Sequence, residues 1–189
     1  DEAMEQYGTD KPDLRFGMKI HTLNELAQGH GFRVFDNAEL VAGICVEGQG
    51  DAFSNKDIKK LTKWVQRPQI GAAGLVDVRW TSEGSFKSGI SKFYDDEQFE
   101  EWVKHCGGEQ GDMLLILSGD EAETRRQIGE LRLEMGRRLG LMDKDVFQPL
   151  WVLDFPLLEW DEEEGRFFAM HLPFTAPVKR DIPRIDTVE

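Results

Sequence analysis

The sequence predicts an α+β sandwich, a sheet of short strands with helices packed on one face. Met113 to Leu117 is a continuous apolar run, as expected of a central strand buried on both sides. Ser54 and Asp95 each precede a stretch whose apolar residues recur at helical spacing. Short apolar segments separated by glycine alternate with these stretches. At 189 residues, with 40% hydrophobic and 31% charged, the chain can build a real core in one domain or two small ones.

The elements follow in order. Asp1 to Met18 is polar and turn-rich, and Tyr7-Gly8-Thr9-Asp10-Lys11-Pro12-Asp13 should be a shaped loop. Pro12 biases Lys11 away from helix. Leu23 to Ala27 reads as a short helix ended by Gly29 or Gly31. Phe32 to Phe35 and Val41 to Val46 read as strands. Ser54-Asn55-Lys56-Asp57 is a capping-box pattern that opens a helix with Ile58, Leu61, Trp64 and Val65 on one face. Leu75 to Trp80 is a strand with Val76, Val78 and Trp80 on a common side. Asp95-Asp96 starts a helix with a Phe99, Trp102, Val103 and Cys106 stripe, stopped by Gly107-Gly108. Glu121 to Leu139 is the longest helix, with Ile128, Leu131, Met135 and Leu139 facing inward. Arg132 lies beside that stripe, its stem packed and its head expected in an ion pair. Arg125, Arg126, Arg137 and Arg138 should pair with Glu121, Glu123, Glu130 and Glu134. Trp151 to Pro177 reads as two apolar strands joined by the acidic turn Asp161-Glu162-Glu163-Glu164-Gly165. A polar tail runs from Val178 to Glu189.

Composition excludes several classes. The net charge of -13 repels phosphate, so any nucleic-acid contact must be local. No apolar run is long enough for a membrane span, and the N-terminus lacks a signal-peptide pattern. Cys45 and Cys106 read as reduced, buried thiols. His105-Cys106 finds no second pair to complete a zinc site. The acidic turn does not have calcium-loop spacing. Phosphate-binding glycine loops, a nucleophile elbow and a zinc-protease motif are all missing. The first residue is not methionine, which suggests a piece of a longer protein or a processed product.

Three places could carry chemistry. His171 follows an apolar strand and precedes Leu172-Pro173-Phe174-Thr175. A neutral imidazole there could donate from one nitrogen and accept at the other; a satisfied core histidine is the bland alternative. Asp154-Phe155-Pro156 is either an edge position or a carboxylate aimed at a cleft. Asp10-Lys11-Pro12-Asp13-Leu14-Arg15 is either a ligand-binding loop or a charge-paired surface loop.

Tyr7 to Phe16 and Trp151 to Pro177 resemble the stretches that flank the inserted domain of bacterial-type aspartyl-tRNA synthetases. The chain between resembles that insertion, the GAD domain, which is also found in the B subunit of glutamyl/aspartyl-tRNA amidotransferase. The resemblance implies a GAD-type sandwich at 29–122, inserted between catalytic-core segments at 1–28 and 123–189 of a class II antiparallel sheet. It implies a cytoplasmic, homodimeric aspartate–tRNA ligase. That enzyme uses ATP and Mg with L-aspartate and charges the aspartate tRNA, with asparagine tRNA left open. His171 matches the family residue that contacts aspartate, and Asp10 and Lys11 fall on a candidate active-site loop. Leu172 departs from the family's usual second histidine. The ATP-gripping motifs of the family find no match in these residues, so the 189 residues alone are expected to be inactive. The alternative is a tRNA- or protein-interaction module, as in the amidotransferase subunit.

Overall fold

The computed structural model describes residues 2–153, 158–161, 164–169, 179–180 and 182–184. They divide into two units, Asp1–Pro149 and Leu150–Glu189.

The first unit is built on a five-stranded sheet of β1 (Ile20–Thr22), β2 (Leu40–Val46), β3 (Val76–Trp80), β4 (Phe86–Ser88) and β5 (Met113–Gly119). The order is β1-β2-β5-β3-β4, and every pair is antiparallel. The α+β expectation therefore holds. β5 is central, as its apolar run predicts. Its alternate side chains feed two different cores: Met113, Leu115 and Leu117 on one face, Leu114 and Ile116 on the other.

The helices are α1 (Glu2–Tyr7), α2 (Asn24–Ala27), α3 (Arg33–Asp36), α4 (Asn55–Val65), α5 (Asp96–His105) and α6 (Glu121–Arg138). They cover both faces of the sheet, not one as the sequence suggested. Ile58, Leu61 and Val65 of α4 and Ile128, Leu131 and Met135 of α6 close one core. Ala27 of α2, Phe35 of α3 and Phe99, Trp102 and Val103 of α5 close the other. The reason is physical: a strand apolar on both sides must be covered on both sides.

Phe32 to Phe35 also departs from expectation. It is not a strand but the entry to α3, with the Asp36 amide bonded to the Phe32 carbonyl at 3.0 Å. Its aromatic residues join a ring cluster instead of a ladder. Phe32 sits 4.8 Å from Phe35 and 5.1 Å from Phe93, and Tyr94 sits 4.6 Å from Trp102. Tyr94 Oη donates to the Ala27 carbonyl at 2.7 Å, which satisfies its buried polar end. Nor is the start of the chain all turn, since α1 occupies Glu2–Tyr7.

The expected helix starts are present. Ser54 and Asp57 cap α4 reciprocally, and Asp95 and Gln98 do the same for α5. Surface ion pairs on α6 link Arg125 to Glu121, Arg126 to Glu123, and Arg137 and Arg138 to Glu134. Among the described residues no helix is long and apolar enough to cross a membrane.

In the second unit, β6 (Leu158–Asp161) pairs antiparallel with β7 (Arg166–Ala169). The Glu164 amide donates to Asp161 Oδ1 at 2.9 Å, and Gly165 takes a φ of 61° to close the turn. Trp160 stands opposite Phe167, with ring centroids 5.0 Å apart. On these apolar strands Trp160 and Phe167 are 51% and 62% exposed.

Phe99 is fully buried and touches Phe86, Tyr94 and Trp102. Phe99→Ala should cost about 3–5 kcal/mol, read as a shifted urea midpoint at unchanged slope. A loss below about 1 kcal/mol would contradict the packing described.

Candidate functional site

The loop that carries Asp10 and Lys11 is laid along α6, and α6 is shaped to receive it. Gly129, Arg132 and Gly136 recur at steps of three and four, so they form one stripe. At Gly129 a Cβ would fall 2.7 Å from the Tyr7 carbonyl oxygen, and at Gly136 2.7 Å from the Phe16 ring. Gly8 meets the stripe from the other side: its φ is 68°, and a Cβ there would lie 2.1 Å from the Arg125 oxygen. Side chains are excluded on both sides of this contact, which lets the two backbones touch.

Arg132 lies between the two helix glycines and is 1% exposed. Its Nε donates to the Met18 carbonyl at 3.1 Å. Its Nη2 lies 2.8, 3.0 and 2.8 Å from the carbonyl oxygens of Asp13, Phe16 and Gly17. The guanidinium carbon is 4.1 Å from the Phe16 ring centroid and 4.9 Å from that of Tyr7. The expected ion pair is thus replaced by backbone carbonyls and ring faces. A planar fork of donors suits this task, because converging carbonyls supply partial negative charge without a buried carboxylate. Burial pulls the Arg132 pKa below the ordinary guanidinium value, while Tyr7 and Asp13 act against that shift.

The loop has its own braces. Asp13 accepts from Arg15 Nε at 2.9 Å and Nη2 at 2.7 Å, and from the Arg15 amide at 3.1 Å. Arg15 Nη1 reaches the Asp143 carbonyl at 2.8 Å. Hydrogen bonding from Arg15 holds the Asp13 carboxyl below its usual range, against the opposing effect of burial. Met18 has a φ of 63°, the one positive value at a non-glycine among the described residues. The strained turn is held where its carbonyl meets Arg132.

Asp10 and Lys11 come just before this braced segment. Pro12 beside them is buried, whereas Lys11 is exposed and Asp10 half-buried. The Lys11 amide donates to Thr9 Oγ1 at 3.2 Å. Neither side chain has a hydrogen bond or ion pair among the described residues. The loop is therefore charge-paired at Asp13 and Arg15 but leaves a carboxylate and an ammonium unengaged. His171, Leu172 and Asp154-Phe155-Pro156 lie outside the described residues.

Other reactive residue types are in structural contacts. His105 Nε2 is 3.1 Å from the Thr22 carbonyl, and His30 Nδ1 is 3.2 Å from Gln98 Nε2. Burial, then His105 and Lys19, lowers the His21 pKa. Burial raises both thiols, Cys106 to about 12, so neither is a thiolate nucleophile near neutral pH. Among the described residues no three His, Cys, Asp or Glu side chains converge as metal ligands.

The Gly129-Arg132-Gly136 stripe was legible in the sequence and missed. Two glycines inside a helix each cost about 1 kcal/mol relative to alanine, a signal of close approach by another backbone.

The family described as the GAD domain matches residues 33–128. The chain is 54% identical to an aspartate–tRNA ligase of Parabacteroides distasonis over 187 residues, which is 98% of this chain and 32% of that protein. It is 53% identical to the aspartate–tRNA ligase of Bacteroides thetaiotaomicron and 52% identical to that of Porphyromonas gingivalis, with the same coverage. The chain spans about a third of the length of these curated relatives.

Arg132→Met should strand several buried carbonyls and cost about 3 kcal/mol, with faster amide exchange across residues 8–19. Arg137→Met, where the arginine is exposed and its partner Glu134 keeps Arg138, should stay within about 0.5 kcal/mol. Equal losses would contradict the clamp. Asp13 adds a pH dependence of defined sign. Its folded pKa is depressed, so its stabilisation is present above the ordinary aspartate range near about pH 4 and is lost as pH falls below it. Asp13→Asn should flatten acid melting curves in that window, and unchanged curves would remove Asp13 as the cause.

Proposed function

The chain belongs to the GAD domain family, and on that premise we propose that it forms part of an aspartate–tRNA ligase. One observation carries the reading: similarity to aspartate–tRNA ligases continues through both flanks of the domain, not through the GAD region alone. A free-standing interaction module, or an amidotransferase B subunit, would share the middle and not the flanks.

In this reading residues 29–122 are an insertion, and residues 1–28 and 123–189 return to the antiparallel catalytic core of a class II enzyme. The full-length enzyme is a cytoplasmic homodimer. It activates L-aspartate with ATP and Mg, then transfers it to the aspartate tRNA. Whether asparagine tRNA is also charged is decided by parts of the enzyme that read the anticodon. No magnesium ligand is assigned among the described residues, where no metal-type cluster forms.

The work of such a site is positioning and electrostatic stabilisation more than covalent chemistry. His171 is proposed to contact the aspartate substrate, since its two ring nitrogens can donate and accept without net proton transfer. Leu172 beside it has no hydrogen-bonding group, so polar support for the ring comes from elsewhere. Asp10 and Lys11 are proposed as an active-site loop. What supports this is their unengaged opposite charges just before the Asp13 to Met18 segment, whose carbonyls Arg132 holds. A braced loop loses little entropy when it meets a ligand.

In the complete enzyme His171→Ala should raise the KM for aspartate in ATP–pyrophosphate exchange by about tenfold or more, the value of one charged hydrogen bond. An unchanged KM would remove His171 from the substrate site. The 189-residue chain alone should give no aspartate-dependent exchange, and robust exchange would contradict the reading.

A further inference from the structure

We propose that the outward face of α4 is a docking surface for the phosphate backbone of tRNA. At about 100° per residue, Lys56, Lys59, Lys60 and Lys63 fall within an arc of about 100°, opposite the buried Ile58, Leu61 and Val65. Arg67 follows in the turn where its amide meets the Trp64 carbonyl at 3.3 Å. All of these basic residues are exposed. Asp57 is the lone acid in the helix, and Lys60 Nζ sits 3.2 Å from it. Lys56, Lys59, Lys63 and Arg67 have no ion pair among the described residues.

The contrast with the other helices makes this face distinctive. On α6 the half-buried Arg125 and Arg126 and the exposed Arg137 and Arg138 all meet a glutamate. On α5, across the sheet, Asp96, Glu97, Glu100 and Glu101 dominate. A chain with a net charge of -13 has thus gathered uncompensated cations on one side. That polarity would orient a polyanion toward α4 and away from α5.

Beside α4 a groove of about 520 Å³ continues the positive surface between Lys59, Arg79, Lys87 and Ser88. Arg79 is fixed there by the Phe53 carbonyl at 2.9 Å, Asn55 Oδ1 at 2.7 Å and Asp77 at 2.9 Å. Asp77 neutralises Arg79, so Lys59 and Lys87 set the sign of the groove.

The occupant follows from the chemistry of the face. Its cations are chiefly lysines on flexible stems, and from Lys56 to Arg67 they extend about 16 Å along the helix axis. A row of this kind neutralises successive phosphates without reading bases. A lipid surface is disfavoured, because a membrane-bound amphipathic helix must offer its apolar face to the bilayer. Here Ile58, Leu61 and Val65 are already in the core. That the RNA is a tRNA rests on the ligase reading.

The test is binding of a transcript of the aspartate tRNA to the whole chain between 50 and 200 mM salt, read by fluorescence anisotropy. Lys56→Gln, Lys60→Gln and Lys63→Gln combined should weaken binding at least about tenfold at the lowest salt. The log–log salt slope should become shallower by about two. Arg137→Gln with Arg138→Gln, taken from the paired face, should leave both unchanged. Unchanged binding in the α4 variant, or an equal loss in the control, would overturn the proposal. So would a loss seen for polyglutamate and not for tRNA. Aspartate-dependent ATP–pyrophosphate exchange by the full-length enzyme without tRNA tests the ligase reading separately, and the α4 variant should leave that exchange intact.

Discussion

Arg132 is the interaction on which the first unit's arrangement turns. A buried guanidinium is costly unless its donors are occupied. Here they meet the carbonyls of Asp13, Phe16, Gly17 and Met18, which come from a segment that has no strand or long helix of its own. The dependence runs in both directions. Without the segment the guanidinium would be buried without acceptors, and without the guanidinium the carbonyls would lose their donors. Gly129 and Gly136 make this possible, because any larger residue would hold the segment away from α6. The same contact ties the start of the chain to the last helix of the sandwich. The Asp10 loop therefore inherits the rigidity of a helix packed against a central sheet.

The two-sided covering of the sheet has an electrostatic counterpart. Both faces are closed by amphipathic helices, yet the helices differ in what they show to solvent. α6 pairs its exposed charges internally, α5 is acidic, and α4 is basic. Packing alone would accept any polar residues on these outer faces, since burial does not discriminate among them. The segregation therefore calls for a cause outside the core. A partner of opposite sign to α4 supplies one.

Much of the fold was legible because its signals were local. The capping boxes at Ser54 and Asp95 and the apolar run of β5 named their elements directly. Phe32 to Phe35 misled because aromatic residues favour strands, whereas here distant rings from Tyr94 and Trp102 decide their conformation. The one-sided helix layer failed for a reason already present in β5, since a strand apolar on both faces demands cover on both. In the candidate site, the Asp10 loop was visible as punctuation by Gly8 and Pro12. Its clamp was not. Arg132 was assigned an ion pair because a charge suggests an opposite charge, and the sequence does not display carbonyls that converge only after folding. The signal that could have found it was the pair of helix glycines, whose cost in propensity needs a tertiary reason. His171, the residue most suggestive of substrate contact, lies outside the described residues, so its reading depends on the flanking similarity.

The central claim is that residues 1–19 and α6 fold as one body through Arg132. A double-mutant cycle of urea unfolding tests it most directly, combining deletion of residues 1–19 with Arg132→Met. If the clamp is the link, each change alone is destabilising. Once the segment is gone, Arg132→Met should then cost nothing or even stabilise, because the guanidinium has lost its acceptors. Additive losses, with Arg132→Met equally harmful in both backgrounds, would contradict the account.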